Sequence, residues 1–311
     1  MGICLYTPFA IKIEVFQIAL EPLLFNISSG LILGSIYGVS TLGLSLIFGV
    51  MRIVNVGHGS FIMMGAYTAY WLFTLYGLIP IVSIAVAFIL GLAIGMLIFY
   101  TIVRRLLGAP ELSSLIAMFG IGALLEEMAK QLWSIDYRGY TWYIGSIPYL
   151  GLRLQLTVVL AAVLSIISVI ALFIFLYRTG VGTSLRAVVQ DPVGAYICGI
   201  NVQRIYSMSV GIGLGLTMLG GVSLTLYNPT GIYPYMGQPY TLKAFVIAVL
   251  GGLGSPLGAF IGGLVFGVIE SAATYIFSQM GSPSPGSLAL FLGFVLLIVL
   301  LLLKPEGLMR R

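Results

Sequence analysis

Apolar runs of about 20 residues, separated by single charges, prolines and glycines, follow one another along almost the whole chain. That is the length an α-helix needs to cross roughly 30 Å of hydrocarbon. The runs fall at about residues 28–50, 60–76, 78–103, 113–134, 155–177, 204–227, 242–254, 256–278 and 288–303. Hydrocarbon gives backbone N–H and C=O groups no partner, so segments that traverse it must bond internally, as helices do. Composition agrees. Of the 311 residues, 60% are hydrophobic and 7% charged, whereas a soluble domain carries about a quarter charged. The expected fold is all-α, a polytopic transmembrane helix bundle spanning residues 1–311 as one membrane domain.

Several functional classes are excluded at this level. The net charge of +5 comes from 14 basic residues scattered singly or in pairs, without the clustered face that nucleic acid requires. Cys4 and Cys198 stand far apart and match no metal spacing, so neither a zinc site nor a disulfide framework is expected. None of the four lysines (Lys12, Lys130, Lys243, Lys304) follows a glycine, which rules out the Gly-rich phosphate loop ending in Gly-Lys. No nucleophile elbow or HExxH motif occurs either. The chain is expected to be no enzyme and to need no cofactor. Lys12, Glu14 and Glu21 interrupt any signal-peptide core, and MGICLY lacks the hydroxyl residue of a myristoylation signal. The N-terminus is expected to be a retained interfacial segment.

Loop charges set orientation. With nine spans, one face carries Arg52, Arg104, Arg105, Arg178, Arg186, Arg204, Lys304, Arg310 and Arg311, the other Lys12, Lys130, Arg138, Arg153 and Lys243. The richer face is expected in the cytoplasm, with the C-terminus inside and the N-terminus outside. Residues 135–154, dense in Tyr and Trp, read as an interfacial anchor. Residues 178–201 form the one sizeable polar stretch on the cytoplasmic face.

Two interruptions stand out. The run 242–254 is too short to cross at 1.5 Å per residue and ends in Gly251, Gly252, Gly254 and Pro256, which disfavour helix continuation. The run ending at Val50 gives way to MRIVNVGHG before another starts at Ser60. Broken helices are tolerated in a membrane only against protein or a wet cavity, and breaks in matching halves point to a midplane pathway. Asn55, Gly57, His58, Gly59, Gly252, Gly254 and Ser255 are therefore the expected pathway residues. Four-residue glycine spacing (Gly30, Gly34, Gly38; Gly91, Gly95; Gly211, Gly215; Gly254, Gly258, Gly262) favours close helix packing and is compatible with an internal inverted repeat.

Charges inside apolar runs must face protein or water. Glu126 and Lys130, spaced i,i+4 with the acid first, are expected to pair. Glu127 lies beside them, and Glu270 must meet a residue of another helix or be protonated. His58, the sole histidine, is expected to bond backbone groups freed by the helix break.

Four collinear stretches resemble a known family. They are GLILGSIYGVSTLGLSLIFGVMRIVNVGHGSFIMMGAY (30–67), TSLRAVVQDPVGAYICGINVQRI (183–205), AVLGGLGSPLGAFIGGLVFGVIES (248–271) and the tail KPEGL (304–308). Together they resemble the LivH-type permease of branched-chain amino acid ABC importers. That resemblance implies a LivM-type second permease, two cytoplasmic ATPases and an extracytoplasmic solute-binding protein delivering Leu, Ile or Val. Asn55–Gly59 matches the family's N-F-A-H-G, with Val56 and Gly57 replacing Phe and Ala, which widens the local space. Arg186, Asp191, Gly199, Ile200 and Asn201 match the R-A-x-x-x-D and G-I-N elements of a loop that looks like the ATPase seat. Pro192 suits the first turn of a short coupling helix there. On the residues alone, a permease for urea or short amides and an ion-coupled secondary transporter stay open.

Overall fold

The computed structural model describes residues 8–303 and Gly307, with side chains from Glu21 onward. Cys4, the tail 304–308 apart from Gly307, Arg310, Arg311, and the side chains of Lys12 and Glu14 lie outside the described residues.

All nine apolar runs appear as helices. They are α1 (Pro8–Met51), α2 (His58–Tyr76) and α3 (Pro80–Ile98), the last extended by a π-helical turn (Phe99–Val103) and α4 (Arg104–Leu106). After these come α5 (Glu111–Trp133), α6 (Leu156–Arg178), α7 (Gly180–Gln190), α8 (Pro192–Ile197), α9 (Val202–Tyr227), α10 (Gly237–Gly251), α11 (Pro256–Gln279) and α12 (Pro285–Leu303). Seven of them are long and apolar enough to cross a membrane; α2 and α10 are not among these. The first helix extends well before residue 28, because an isolated charge ends an apolar run without ending a helix. The only described strands, Ser146–Tyr149 and Leu152–Gln155, form a hairpin in the aromatic segment. It is closed by Leu150 and Gly151, both at positive φ, as a two-residue primed turn requires.

Prolines at first-turn positions open α3, α8 and α11, where a missing N–H costs nothing. Side chains cap four helices. Thr179, Asp191, Asn201 and Ser255 accept from the backbone N–H of Gly182, Val193, Arg204 and Gly258 respectively.

Glycine determines the packing. Helix α1 lies antiparallel on α11, Gly30 and Gly34 meeting Gly267 and Gly263, and a methyl on Gly34 would fall 2.6 Å from the Gly263 carbonyl. Helix α3 lies antiparallel on α9 in the same manner, Gly91 and Gly95 meeting Gly215 and Gly211. These are the most extensive helix pairs in the fold. Without a hydrophobic drive between helices in lipid, backbone approach of this kind supplies the attraction. Exchanging α1–α2–α3 with α9–α10–α11 converts one pair into the other, converts α2 on α3 into α10 on α11, and leaves the α2–α10 contact in place. The bundle thus has the form of an inverted repeat. The repeat matches the link 52–57 with the link 228–236, not with 252–255 as the sequence led us to expect. Residues 252–255 are the turn between two antiparallel helices, the counterpart of the turn at Gly77. Nor do Gly254, Gly258 and Gly262 match Gly30, Gly34 and Gly38: Gly254 meets Gly49, while Gly258 and Gly262 face Gly251 on α10.

Helix directions gather Arg52, Arg104, Arg105, Arg178, Arg186 and Arg204 at the end of the bundle that carries α7 and α8. Lys130, Arg138 and Arg153 lie toward the other end. Lys243, expected with that second set, is instead inside the bundle, for a reason given below.

Candidate functional site

A cavity of about 950 Å³ opens at the α7–α8 end. Its wall combines the last turn of α1 and the link after it (Phe48–Arg52, Val54), the start of α5 (Glu111, Leu112), the end of α7 (Val188–Gln190) and the α10–α11 turn (Leu253, Gly254). Both expected interruptions therefore border one space, together with the segment expected to couple. The link can leave helical geometry because Arg52 takes a φ of +55°, its N–H bonding the Phe48 carbonyl at 2.8 Å and ending α1. Gly252 and Gly254, at φ of +101° and +83°, provide the turn opposite, where a side chain would be strained.

Of the expected pathway residues, only Gly254 lines this cavity. Asn55 and His58 are 0% exposed. Gly57 packs against Gly122, which lies about 16 Å along α5 from Glu111 at 1.5 Å per residue. The start of α2 is thus near the middle of the bundle. There Gly59 packs against the Gly237 carbonyl, bringing the N-termini of α2 and α10 together, and its N–H donates to Thr241 Oγ1 at 2.8 Å. His58 does not bond freed backbone groups as expected. Its Nδ1 lies 3.4 Å from Thr217 Oγ1 on α9, and its Nε2 is buried without a partner. Both polar atoms of the Asn55 side chain are likewise buried and unpartnered. Ser255 is used as the cap of α11.

The expected Glu126–Lys130 pair does not form. Lys130 Nζ bonds Glu127 Oε2 at 3.0 Å, and Tyr235 Oη donates to the other Glu127 oxygen at 2.6 Å. Glu126 is taken by other helices: it accepts from Ser60 Oγ at 3.0 Å and from Gln238 Nε2 at 3.1 Å. Those donors occupy the first turns of α2 and α10, so the carboxylate sits at two positive helix ends, an electrostatically favourable place. A fixed i,i+4 spacing gives no sign of this, because the competing donors come from distant sequence. Glu270 meets another helix, one of the two expected outcomes. Its Oε1 accepts from Lys243 Nζ at 2.6 Å, and the same ammonium donates to Tyr37 Oη at 2.8 Å and lies 4.9 and 5.3 Å from the ring centres of Tyr37 and Tyr240. This is why Lys243 lies in the interior.

The segment 178–201 folds into two short helices. Asp191 caps α8 through Val193 N at 2.9 Å, Pro192 takes the first helical position, Gly199 turns at φ +83°, and Asn201 caps α9. Ile200 packs onto the core. The guanidinium of Arg186 lies 4.7 Å from the Tyr177 ring centre. Between these anchors α8 presents Val193, Tyr196 and Ile197 outward, 66–78% exposed, an apolar patch at the end of the bundle. At the opposite end the aromatic segment is pinned by the Arg138–Ile232 bridge and by Tyr140 Oη against Thr225 Oγ1 at 2.7 Å.

Sequence reasoning singled out neither Glu111 nor the polar contacts Tyr37, Thr217, Gln238 and Thr241. Each lies in an ordinary stretch, and only the fold brings it to an interruption or a charge.

Comparison with known proteins gives a consistent result. The family model for the permease component of branched-chain amino acid transport systems matches residues 26–301. The high-affinity branched-chain amino acid permease LivH of Salmonella typhimurium is 27% identical over 304 residues, 91% of this chain and 94% of that one. BraD of Pseudomonas aeruginosa is 28% identical over 297 residues with the same coverage, and a probable LivH of Methanocaldococcus jannaschii 26% over 275. Among solved structures, PsaBC from Streptococcus pneumoniae superposes with a TM-score of 0.49 at 14% identity over 90% of this chain and 92% of that one, too distant to carry an inference. The match over residues 26–301 and the multi-pass helical fold lead to one assignment: this chain belongs to the permease component family of branched-chain amino acid transport systems.

Proposed function

We propose that the chain is a membrane permease subunit of an ATP-driven importer of leucine, isoleucine and valine, forming the translocation pathway together with a second, LivM-type permease. Two cytoplasmic ATPases supply the energy, and an extracytoplasmic solute-binding protein delivers the solute. The α7–α8 end faces the cytoplasm of the plasma (inner) membrane, because the described arginines concentrate there. That orientation puts the N-terminus outside and the C-terminus inside.

One observation carries the reading. The helix interruptions and the α7–α8 segment share the wall of a single cavity, so movement of the segment alters the interruptions directly. In this reading an ATPase engages the exposed face of α8, with Arg186, Asp191, Pro192, Gly199, Ile200 and Asn201 fixing its position. The solute passes the junction formed by Asn55, Gly57, His58 and Gly59 and leaves past Gly252, Gly254 and Ser255. The unpartnered polar atoms of Asn55 and His58 support the junction's role, since buried polar groups without partners are costly unless water or a ligand visits them. Glu126, Glu127, Lys130 and Glu270 hold the helices together.

The test is uptake of radiolabelled leucine by the complete assembly in liposomes. Asp191→Ala should remove the α8 cap, worth about 1 kcal/mol, and Arg186→Ala its aromatic contact; both should leave the protein in the membrane and uncouple ATP hydrolysis from uptake. The chain alone should be inert. Leucine accumulation by the chain alone on an ion gradient, or normal coupling in both variants, overturns the proposal.

A further inference from the structure

We infer that the cavity at the α7–α8 end is a binding site for an amphoteric small molecule with an apolar body, a free amino acid, held by Arg52 and Glu111. The inference rests on the proposed function for the choice of amino acid, and on the cavity itself for the chemistry. Its volume of about 950 Å³ falls at the upper end of the range for small-molecule sites, about 300–1,000 Å³. Its wall mixes polar and apolar surface about evenly, with Val50, Val54, Leu115, Val188, Val189 and Leu253 providing the aliphatic part. Beside that aliphatic part stand two exposed formal charges of opposite sign, Arg52 and Glu111.

The two charges do not neutralise each other. The ion pairs among the described residues are Lys130–Glu127 and Lys243–Glu270, and neither involves Arg52 or Glu111. A guanidinium and a carboxylate on two different elements of one cavity, beside aliphatic side chains, complement a ligand that carries a carboxylate and an ammonium of its own. Arginine binds carboxylates with two parallel hydrogen bonds, which adds direction to charge. Arg52 is also held in the left-handed region, at φ +55°, where residues other than glycine and asparagine are uncommon. Such conformations persist where the surrounding structure imposes them, and they concentrate at ligand sites. The left-handed residue here is the one that carries the cavity's positive charge.

The position gives the site a consequence. One wall is the end of α7 with Pro192 of α8, and the other is the link after α1 with the α10–α11 turn. A molecule bridging both walls restrains the coupling segment against the core, so solute released on this side slows further cycles.

A free amino acid and a zwitterionic phospholipid share the amphoteric chemistry, and the experiment separates them. The permease, purified with its partner subunits in lipid-free detergent and without the external binding protein, is dialysed to equilibrium against radiolabelled L-leucine. Leucinamide, lacking the carboxylate, and 4-methylpentanoate, lacking the ammonium, compete in parallel. Leucine is expected to bind and each analogue to bind at least about tenfold more weakly, the loss of one charge-assisted hydrogen-bonded contact. Arg52→Gln should erase discrimination against leucinamide alone, and Glu111→Gln discrimination against 4-methylpentanoate alone. Arg52→Lys keeps the charge and should retain leucine binding, which separates loss of the contact from loss of the fold. No leucine binding, equal affinity for all three compounds, or unchanged discrimination in both glutamine variants overturns the inference. So does binding that vanishes in phosphatidylethanolamine nanodiscs and survives in phosphatidylglycerol ones, since a lipid headgroup then fills the site. Dialysis requires no transport, so a failed importer assignment would appear separately, as absent ATP-driven uptake.

Discussion

The Lys243–Glu270 pair provides the most quantitative test of the packing. The ammonium and carboxylate are 2.6 Å apart with side chains only 12% and 14% exposed. At an effective dielectric of about 20, Coulomb attraction at that distance is about 6 kcal/mol, opposed by several kcal/mol of desolvation for each ion. The pair is therefore of small net benefit, but either charge left alone is costly. Glu270→Gln strands the ammonium between two tyrosine rings, and Lys243→Met strands a carboxylate whose Oε2 already lacks a partner. Each single variant should lose about 3–5 kcal/mol, the usual cost of breaking a buried pair; Lys243→Met should lose about 1 kcal/mol more, because Tyr37 Oη loses its 2.8 Å donor. The double variant Lys243→Met/Glu270→Gln contains no stranded charge and should lie within about 2 kcal/mol of the parent, giving a coupling energy of at least about 5 kcal/mol. Equilibrium unfolding in mixed micelles, titrated with SDS, measures all four corners of the cycle. Additive single losses, with coupling under about 0.5 kcal/mol, would show that both groups are solvated separately and would refute the buried latch.

Three shorter predictions test other parts of the fold. Gly65→Ala places a methyl into the Met218 carbonyl on α9 and should cost about 1–3 kcal/mol or block accumulation in the membrane, whereas Gly120→Ala, with open space around it, should be neutral or stabilising by up to about 1 kcal/mol; thermal unfolding in detergent distinguishes them. In a Cys4→Ser/Cys198→Ser background, Val54→Cys borders the cavity and should react at rest with an impermeant thiol reagent applied from the α7–α8 side, while Asn55→Cys, fully buried, should not. Burial pushes the Tyr140 phenol up to about 12, so the folded state keeps a proton that the unfolded chain releases near pH 10. Its contribution to stability is complete below about pH 10 and lost as pH rises toward 12; Tyr140→Phe should flatten that part of an alkaline unfolding curve.

The spans were legible because hydrocarbon demands long apolar helices, and the nine runs map one to one onto helices. Close packing through Gly34 and Gly91 was legible too, since four-residue glycine spacing has one physical use in lipid. Partner assignment was not. Gly258 and Gly263 both sit on α11, but one faces α10 and the other α1, and spacing alone does not tell two faces of a helix apart. Local pairing failed at Glu126 for a related reason: the i,i+4 partner was available, but Ser60 and Gln238 offered neutral donors at two helix N-termini, and Lys130 turned to Glu127. The site divided in the same way. Interruptions announced themselves through Gly252, Gly254 and the MRIVNVGHG stretch that contains Arg52, while Glu111 has unremarkable neighbours in sequence and acquires meaning only where the helix ends meet.

The inverted repeat divides the bundle into a rigid part and an adjustable one. The α1–α11 and α3–α9 pairs hold backbone against backbone over several turns, and close-packed surfaces of that kind shift as units rather than deform. The contact between α2 and α10 is different. Besides apolar packing, it includes one glycine–glycine approach at Gly59 and Gly237, one hydrogen bond to Thr241 and the two bonds that Glu126 makes with Ser60 and Gln238. Each bond contributes about 1–3 kcal/mol, little enough for an alternative partner to replace it. The links that lead into these helices, 52–57 and 228–236, are non-helical and need break no helical ladder to move. Glu126 of α5 is the side chain that joins α2 and α10, so a rearrangement that parts these two helices must first break its bonds to Ser60 or Gln238.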